Sequence, residues 1–517
     1  MEVYTICYVG CIILMLVSFV LRFLNFVWLK PKKMEKFLRA QGLDGNPYKF
    51  PFGDLEEMVH LIVEAKTKPI GLNDDIVPRV LPFVHKAIAT HGKICFTWMG
   101  NKPVVQISEP LMIREIFANY HQFQKPSVNN PLTKLLATGL IDTDANRWVK
   151  HRKIINPAFH FQKLKHMVPA FYVSCNEMIK TWEEMLSSDK SSCEVDVWPY
   201  LQSFSSDVIS RTAFGSSFEE GRRISQLQQE QAELVIMAEQ SVYIPGSRFL
   251  PTRSNMRIKE IEREVRASIR SIIDKRVAMM EAGDVDNEDL LGILLDSNYK
   301  EIKQNGNGCF GLSIEEVIEE CKLFYFAGQE TTANLLVWTM ILLSQHTDWQ
   351  THARNEVLDL LGEKKPDTDD LSRLKVVNMI LNEVLRLYPP GAALGRMTHE
   401  QTKLGNITLP AGTHIQLNTI FLHHDHDLWG HDAKEFNPDR FSKGVSYATK
   451  GQASYVPFGG GPRICIGQNF AMMEAKMALV MILRRFSFEL SPSYSHAPHV
   501  IVTLQSQFGA HLILHKL

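Results

Sequence analysis

The chain has 517 residues, and its formal net charge of −1 at pH 7 argues against a protein that binds nucleic acid through a basic surface. A hydrophobic content of 45% and a charged content of 22% are typical of a globular protein, which at this length holds one large domain or about three average ones. Eight scattered cysteines without a Cys-x-x-Cys pair argue against a disulfide framework or a zinc site and indicate a reducing compartment.

The N-terminal run Tyr4–Leu21 is uncharged and mostly apolar, and it approaches the roughly twenty residues that span a bilayer. A cleaved signal peptide is the alternative, but no small-residue cleavage site follows, and Trp28 is placed as an interfacial anchor. Because residues 30–39 are rich in lysine, the rest of the chain is expected in the cytosol. The sequence therefore predicts a membrane anchor over residues 1–30, with the endoplasmic reticulum as the expected membrane, and one catalytic domain over residues 31–517.

Helical periodicity dominates the remaining chain, most clearly over residues 163–186, 258–281, 350–361 and 471–486. Strand-like segments are few and short, at residues 93–98, 103–107, 408–409, 414–419 and 500–504. The turn Leu409–Thr413 predicts a small hairpin, and the stretch Ser297–Gly311 predicts a surface loop. The predicted fold class is mainly α with a small β region.

The helix predicted over residues 314–345 is about 48 Å long at 1.5 Å per residue, enough to cross a domain. Ser313 and Glu316 form a capping box at its start. Its centre accepts a glycine and two adjacent threonines, which are poor helix formers. Core packing is one explanation of the glycine. The neighbouring acid and hydroxyl, Glu330 and Thr331, make it less favoured than a helix centre that faces a bound group.

The segment Pro457–Gly467 reads Pro-Phe-Gly-Gly-Gly-Pro-Arg-Ile-Cys-Ile-Gly and leads directly into a helical pattern. Its glycines allow the backbone to lie close against a large planar group. Cys465 precedes a helix N-terminus, where N–H groups and the helix dipole favour a thiolate. A lone thiolate on a rigid loop is suited to be the axial ligand of a haem iron, and the alternative is a buried cysteine in a glycine-rich turn.

This segment resembles the haem-binding loop of the cytochromes P450, the haem-thiolate monooxygenases, through Phe458, Gly461, Arg463, Cys465 and Gly467. The resemblance implies one large cytochrome P450 haem domain behind an N-terminal transmembrane helix. It also implies haem b (iron protoporphyrin IX) as cofactor, with Cys465 as the metal ligand. Electrons are expected from NADPH through a separate NADPH–cytochrome P450 reductase, with cytochrome b5 as an optional second partner.

The centre of the long helix, Ala327–Thr332, resembles the family's oxygen-binding motif. By that match the hydroxyl of Thr331 lies over the haem, and Glu330 is the acid that relays protons. The adjacent Thr332 remains an alternative to Thr331.

Glu383 and Arg386 lie three residues apart and share one helix face. Such a pair is common on surface helices, but together with Arg440 it resembles the structural triad of the family. Asp439 stands where the family more often has glutamate, which puts only local hydrogen bonds in doubt.

The two propionates of a haem need positive partners if they are buried. Arg463 in the cysteine segment is one candidate. Trp148 and Arg152, four residues apart on a helix face, match the family's propionate-contacting pair, and Arg396 matches a further contact. Beside them the basic side chains of the same helix predict a docking patch for an acidic reductase, formed by Arg147, Lys150 and Lys153.

The segment His423–Asp427 reads His-His-Asp-His-Asp and has the composition of a metal site. Ligands from consecutive residues of one loop are unusual, so the segment is expected to be a solvated surface turn.

Segments at residues 28–33, 41–48 and 150–160 resemble a plant clan that includes secologanin synthase and triterpenoid oxidases. The resemblance implies NADPH- and O2-dependent oxidation of an apolar plant metabolite, with a triterpenoid or an iridoid monoterpenoid as substrate. Oxygen-independent rearrangement or dehydration is one alternative, which the Glu330–Thr331 pair disfavours. A non-catalytic haem-binding protein is the other.

Overall fold

The computed structural model describes residues 2–126, 130–141, 145–186, 191–216, 218–239, 246–283, 289–305 and 311–517. Within these ranges the fold is mainly α-helical with small sheets, which confirms the predicted fold class. The helices in chain order are α1 (Glu2–Leu24), α2 (Lys30–Ala40), α3 (Leu55–Lys66), α4 (Val77–Val80), α5 (Pro82–His91), α6 (Pro110–Ala118), α7 (Ala145–Ile155), α8 (Phe161–Met185), α9 (Trp198–Ile209), α10 (Phe218–Glu239), α11 (Arg253–Ala282), α12 (Leu290–Asn305), α13 (Ile314–Gln345), α14 (Thr347–Leu361), α15 (Thr368–Arg373), α16 (Val376–Leu387), α17 (Thr419–His423), α18 (His426–Trp429), α19 (Val445–Ala448) and α20 (Gln468–Arg485).

The strands in chain order are β1 (Asp44–Gly45), β2 (Ile94–Met99), β3 (Lys102–Ile107), β4 (Phe123–Gln124), β5 (Ser192–Asp196), β6 (Leu394–Thr398), β7 (Thr402–Leu404), β8 (Ile407–Leu409), β9 (His414–Leu417), β10 (Phe486–Leu490), β11 (Pro498–Val500), β12 (Leu504–Ser506) and β13 (His511–Lys516). In the described ranges the largest sheet has the order β1-β2-β3-β9-β6-β4. Smaller sheets have the orders β10-β13-β5, β11-β12 and β7-β8.

The N-terminal helix runs from α1 through a π-helical segment, Asn25–Leu29, into α2 without a break at residue 30. In the part of the chain that the structure describes, one helix is long and apolar enough to cross a membrane, and it lies here, within Tyr8–Ala40. None of its most apolar window is buried, whereas a core helix of this composition would be. The helix therefore fits a single-pass membrane anchor.

Helix α13 forms the centre of the helical body. Its capping box is present as predicted: the Ser313 N–H donates to Glu316 Oε2 at 2.9 Å, and the Glu316 N–H donates to Ser313 Oγ at 3.2 Å. The helix packs against α9, α10, α11, α16 and α20, and residues 332–344 are all buried. The C-terminal part of this helix is therefore held by the core on every side, and its partly buried centre at residues 326–331 directly precedes that part. The helical patterns predicted around it are confirmed as α8, α11, α14 and α20.

The predicted surface loop at Ser297–Gly311 is wrong for its first part, because α12 continues to Asn305. Lysine, glutamate and glutamine are good helix formers and occupy four of the five positions 300–304, whereas the asparagine and glycine cluster begins only afterwards. Residues 306–310 lie outside the described ranges.

The hairpin predicted at Leu409–Thr413 is also wrong. Strand β8 pairs with the preceding β7, and β9 pairs with β3 and β6 in the large sheet. The turn therefore carries the chain from one sheet to another. The strand predicted over residues 500–504 is confirmed only at its ends, since Val500 ends β11 and Leu504 begins β12. Between them is a tight turn, in which the Ile501 N–H donates to the Thr503 carbonyl at 3.2 Å.

Glu474 of α20 is a fully buried carboxyl group in the helical core. Burial is the dominant influence and raises its pKa to about 8. The hydroxyls of Ser205 in α9 and Thr332 in α13 face it and oppose this shift, but neither makes a hydrogen bond of ordinary length. The carboxyl group is therefore protonated in the folded protein at neutral pH.

This raised pKa predicts that the folded protein loses stability as the pH rises. The unfolded chain releases the Glu474 proton around the ordinary carboxyl pKa of 4.5, whereas the folded protein retains it to about pH 8. Glu474→Gln keeps the shape of the side chain and removes its titration. Between about pH 5 and about pH 8, the unfolding temperature of Glu474→Gln is expected to rise relative to that of the wild type. A difference that does not change with pH would contradict the assignment.

Candidate active site

The glycine-rich segment before Cys465 is shaped by its packing against the end of α6. Gly459 and Gly461 have φ angles of +74° and +65°, which favour glycine. A Cβ atom on Gly461 would collide with the carbonyl oxygen of Phe117, and one on Gly460 would lie 2.6 Å from its ring. A neighbouring backbone, as well as the local turn, therefore requires these glycines. No signal in the sequence links Phe117 to this segment.

Cys465 lies between this turn and the N-terminus of α20, and its N–H donates to the carbonyl of Phe458 at 2.9 Å. The side chain is exposed, yet protein atoms crowd around it closely enough for burial to raise the pKa of the thiol. It therefore lines an internal cleft. The Gly467 N–H and the charge of Arg152 lower the pKa, as the helix N-terminus predicted, but burial outweighs them. A metal ion bound at this thiol would supply the further positive charge that a thiolate needs here.

Three arginines surround this cleft. Arg152 of α7 is half-buried and donates to the carbonyl of Ile464, beside the cysteine, at 2.8 Å. The guanidinium carbon of Arg463 lies 4.7 Å from the ring centroid of Trp148, which is buried on α7. The sequence predicted that Trp148, Arg152 and Arg463 contact the same bound group, and the structure places all three around one end of the cysteine segment.

Arg396 of β6 is buried, and its guanidinium lies 5.5 Å from the ring of Phe117. Burial, reinforced by the charge of Arg463, lowers its pKa to about 10. It donates to the carbonyl of Gly395 at 2.8 Å, and no carboxylate of the described residues forms an ion pair with it. Arg396 is buried and Arg463 is half-buried, and their neighbouring positive charges favour an anionic ligand. An accessible thiol beside these cations is the set of groups that a haem would need for its iron and its propionates.

Glu383 and Arg386 of α16 form a completely buried ion pair. Arg386 Nε donates to Glu383 Oε2 at 2.8 Å, and Arg386 Nη2 donates to Glu383 Oε1 at 2.7 Å. The same guanidinium donates to the carbonyl oxygens of residues 423, 433 and 435. One charged side chain thus fixes three points of the segment between β9 and the cysteine.

Arg440 contacts this pair only weakly, since its Nε lies 3.5 Å from Glu383 Oε1. Its main partner is Asp432, whose Oδ2 accepts from Arg440 Nη2 at 2.6 Å. The resemblance predicted Arg440 closing onto Glu383 and Arg386; the structure shows a long contact with Glu383 and a closer one with Asp432.

The prediction that His423–Asp427 is a solvated turn is wrong for both neighbouring histidines, and no metal-binding cluster occurs among the described residues. His423 is completely buried, with Nδ1 3.1 Å from the carbonyl of Arg386, and its Nε2 accepts from the Val456 N–H at 2.9 Å. These partners require a neutral ring, and burial holds its pKa well below the usual range. His423 therefore connects the buried ion pair to the start of the cysteine segment. The apolar run before it was the available signal for burial.

Gly328, at the centre of α13, packs against α9. A Cβ atom there would lie 3.0 Å from the side chain of Ile209, so close helix packing, the alternative weighed from the sequence, accounts for the glycine. The hydroxyl of Thr331 is half-buried and donates to the carbonyl of Ala327 at 2.8 Å.

Glu330 has different hydrogen-bond partners from Thr331. Its Oε1 accepts hydrogen bonds from Asn334 on the same helix and from Thr503 and Gln505 around the β11–β12 turn. Sequence reasoning missed Thr503 and Gln505, because only the folded chain brings these residues to α13, and it missed Asn334 although spacing along one helix could have shown that contact.

Helix α7 is tied to α13 by a second buried pair. His151 Nδ1 lies 2.5 Å from Glu320 Oε1, and both side chains are almost completely buried. The contact fixes the helix that presents Trp148 and Arg152.

Breaking the buried ion pair is expected to unfold the cysteine region. Glu383→Ala leaves Arg386 as an uncompensated buried charge, at a cost of roughly 3–5 kcal/mol. Its unfolding temperature and its haem content are expected to fall together, as measured by thermal unfolding and by haem extraction. Asp432→Ala is the matched control, since it removes an acid of the same region that is more exposed, and it should cost less. An equally stable Glu383→Ala protein with full haem content would contradict this role.

Comparisons with known proteins agree with this geometry. The family model for cytochrome P450 matches residues 79–506. The chain is 61% identical over 508 residues to cytochrome P450 CYP72A219 of Panax ginseng, covering 98% of each chain. It is 56% identical to cytochrome P450 72A397 of Kalopanax septemlobus over 96% of this chain and 95% of that one, and 54% identical to cytochrome P450 72A15 of Arabidopsis thaliana over 96% of each. The chain therefore belongs to the cytochrome P450 family of haem-dependent monooxygenases.

Proposed function

We propose that the protein is a membrane-anchored monooxygenase that binds haem b through Cys465 and oxidises an apolar plant terpenoid. The observation that carries the haem assignment is the combination of an accessible thiol with the buried Arg396 and the half-buried Arg463, whose positive charges repel each other. Arg152 and Trp148 complete the propionate end. The cysteine turn is proposed to be shaped by Phe458, Gly461 and Gly467. The region behind it is proposed to be held by Glu383, Arg386 and Arg440.

The reaction consumes O2, two electrons and two protons; one oxygen atom enters a C–H bond of the substrate, and the other leaves as water. A bound haem with a thiolate ligand supplies O2 activation and the electron density that favours O–O cleavage. The protein must deliver the two protons and exclude other water. Thr331 is proposed to hold water at its hydroxyl, and Glu330 is proposed to pass protons to it.

Oxygen-independent rearrangement or dehydration needs no such proton path. The presence of a buried carboxyl group, Glu330, next to a half-buried hydroxyl, Thr331, favours monooxygenation over that alternative. A non-catalytic haem-binding protein would need neither side chain.

The terpenoid substrate class rests on the resemblance to plant terpenoid oxidases. The cavity beside Glu330, which Phe326, Ile501 and Val502 border, is too small to hold such a molecule and adds no support.

The electron donor is proposed to be an NADPH–cytochrome P450 reductase, with cytochrome b5 as an optional partner, at the cytosolic face of the endoplasmic reticulum. Arg147 pairs with Glu316 at 3.2 Å, so it belongs partly to the contact between α7 and α13. Lys153 is exposed and Lys150 is half-buried. These two lysines are the proposed docking charges for an acidic reductase.

Co-expression in yeast with a plant reductase tests the function. Triterpenoids and iridoid monoterpenoids are supplied one at a time, and products are identified by mass spectrometry. A product that gains one oxygen atom, labelled when 18O2 is supplied, is expected, and the Cys465→Ser chain should form none. Unlabelled, rearranged product would support the oxygen-independent alternative.

Removing the hydroxyl of Thr331 is expected to uncouple the enzyme. Thr331→Ala should consume NADPH and release peroxide in place of oxidised product, because water near the bound O2 is no longer held in position. Thr331→Ser, which keeps a hydroxyl, is the matched control and should stay close to wild type. The measurement is product formed and peroxide released per NADPH consumed, and equal ratios in all three proteins would contradict the role of Thr331.

A further inference from the structure

We propose that Thr503 and Gln505 are positioning residues that hold Glu330 and link its orientation to the turn formed by residues 501–502. The inference rests on the proton-relay role proposed above for Glu330.

The contacts form a closed buried network around one oxygen atom. Thr503 Oγ1 donates to Glu330 Oε1 at 2.6 Å, and Gln505 Nε2 donates to the same oxygen. Asn334 Nδ2 lies 3.0 Å from Glu330 Oε1 and 2.9 Å from Thr503 Oγ1. All four side chains are at most 6% exposed, so water does not compete for these hydrogen bonds. Glu330 Oε1 is thereby fixed by groups on two separate elements.

The other carboxylate oxygen is left available. Glu330 Oε2 accepts no hydrogen bond from any described residue, and the side chain borders a small cavity together with Phe326, Ile501 and Val502. The network thus holds one oxygen by hydrogen bonds and leaves the other without a donor among the described residues. An oxygen without a donor is the one that can exchange a proton.

The turn and the network are neighbours in the chain. Residues 501–502 join β11 to β12, and Thr503 follows immediately. Beyond it, Leu504 is anchored, since its carbonyl accepts from Trp338 Nε1 at 3.0 Å and its N–H donates to the carbonyl of Pro390 at 3.0 Å. A ligand that displaces Ile501 or Val502 therefore also displaces Thr503. Because the hydroxyl of Thr503 is bonded to Glu330, the carboxyl group moves with it.

The experiment measures how O2 is reduced by the haem-loaded protein with reductase and NADPH, without added substrate. Thr503→Val removes the hydroxyl at nearly constant shape, and Thr503→Ser retains it. The peroxide released per NADPH is expected to rise in Thr503→Val to the level of Glu330→Gln, and to stay at the wild-type level in Thr503→Ser. Gln505→Leu removes a second donor and should change the ratio in the same direction.

The double variant Glu330→Gln with Thr503→Val separates a positioning role from a merely structural one. If Thr503 acts through Glu330, the double variant releases no more peroxide than Glu330→Gln alone. Additive effects would overturn the inference. If Glu330→Gln raises peroxide release and Thr503→Val does not, the inference fails and the role of Glu330 stands. If Glu330→Gln itself changes nothing, the proton-relay role fails.

A second readout is independent of turnover. Amide hydrogen exchange over residues 498–506 of the haem-loaded protein should become faster in Glu330→Ala, because the turn loses its contact with α13. Thr331→Ala, which changes the neighbouring side chain without touching the network, should exchange like the wild type. Unchanged exchange in Glu330→Ala, with full haem content, would contradict the link between helix and turn.

Discussion

The buried ion pair between Glu383 and Arg386 is the contact on which the cysteine region depends. Arg386 binds three backbone carbonyls of the segment that precedes the cysteine turn, and His423 extends this connection to Val456. Buried charges tolerate little displacement, because any lost hydrogen bond leaves part of the charge unpaired. The pair therefore places the turn that carries Cys465, and the glycines of that turn then fit against the end of α6.

Three residues near the centre of helix α13 have different roles in the fold and in the proposed site. Gly328 allows α9 to approach closely, Thr331 remains half-buried, and Glu330 is held from the opposite side by the β11–β12 turn. Further along the core, the buried Glu474 faces the same helix at Thr332. The centre of α13 is therefore held by contacts with α9 and with the β11–β12 turn, while one carboxylate oxygen of Glu330 has no donor among the described residues.

Local patterns predicted much of this arrangement. The capping box at Ser313, the long helix behind it and the approach of Glu383 to Arg386 all follow from spacing along one helix. Contacts between distant segments could not be read in the same way. The pairing of β8 with β7, the position of Phe117 beside the glycines and the burial of His423 each depend on which elements meet in the fold. Thr503 and Gln505, as partners of Glu330, were missed for the same reason.

The absorption spectrum of the reduced protein with carbon monoxide tests the central claim, that Cys465 is the thiolate ligand of a haem. The wild-type protein should show the red-shifted band that a thiolate-ligated haem gives in this family. Cys465→His, purified with bound haem, should lose that band and absorb like a haem held by histidine. A red-shifted band that persists in Cys465→His, or that is absent from haem-loaded wild type, would contradict the account.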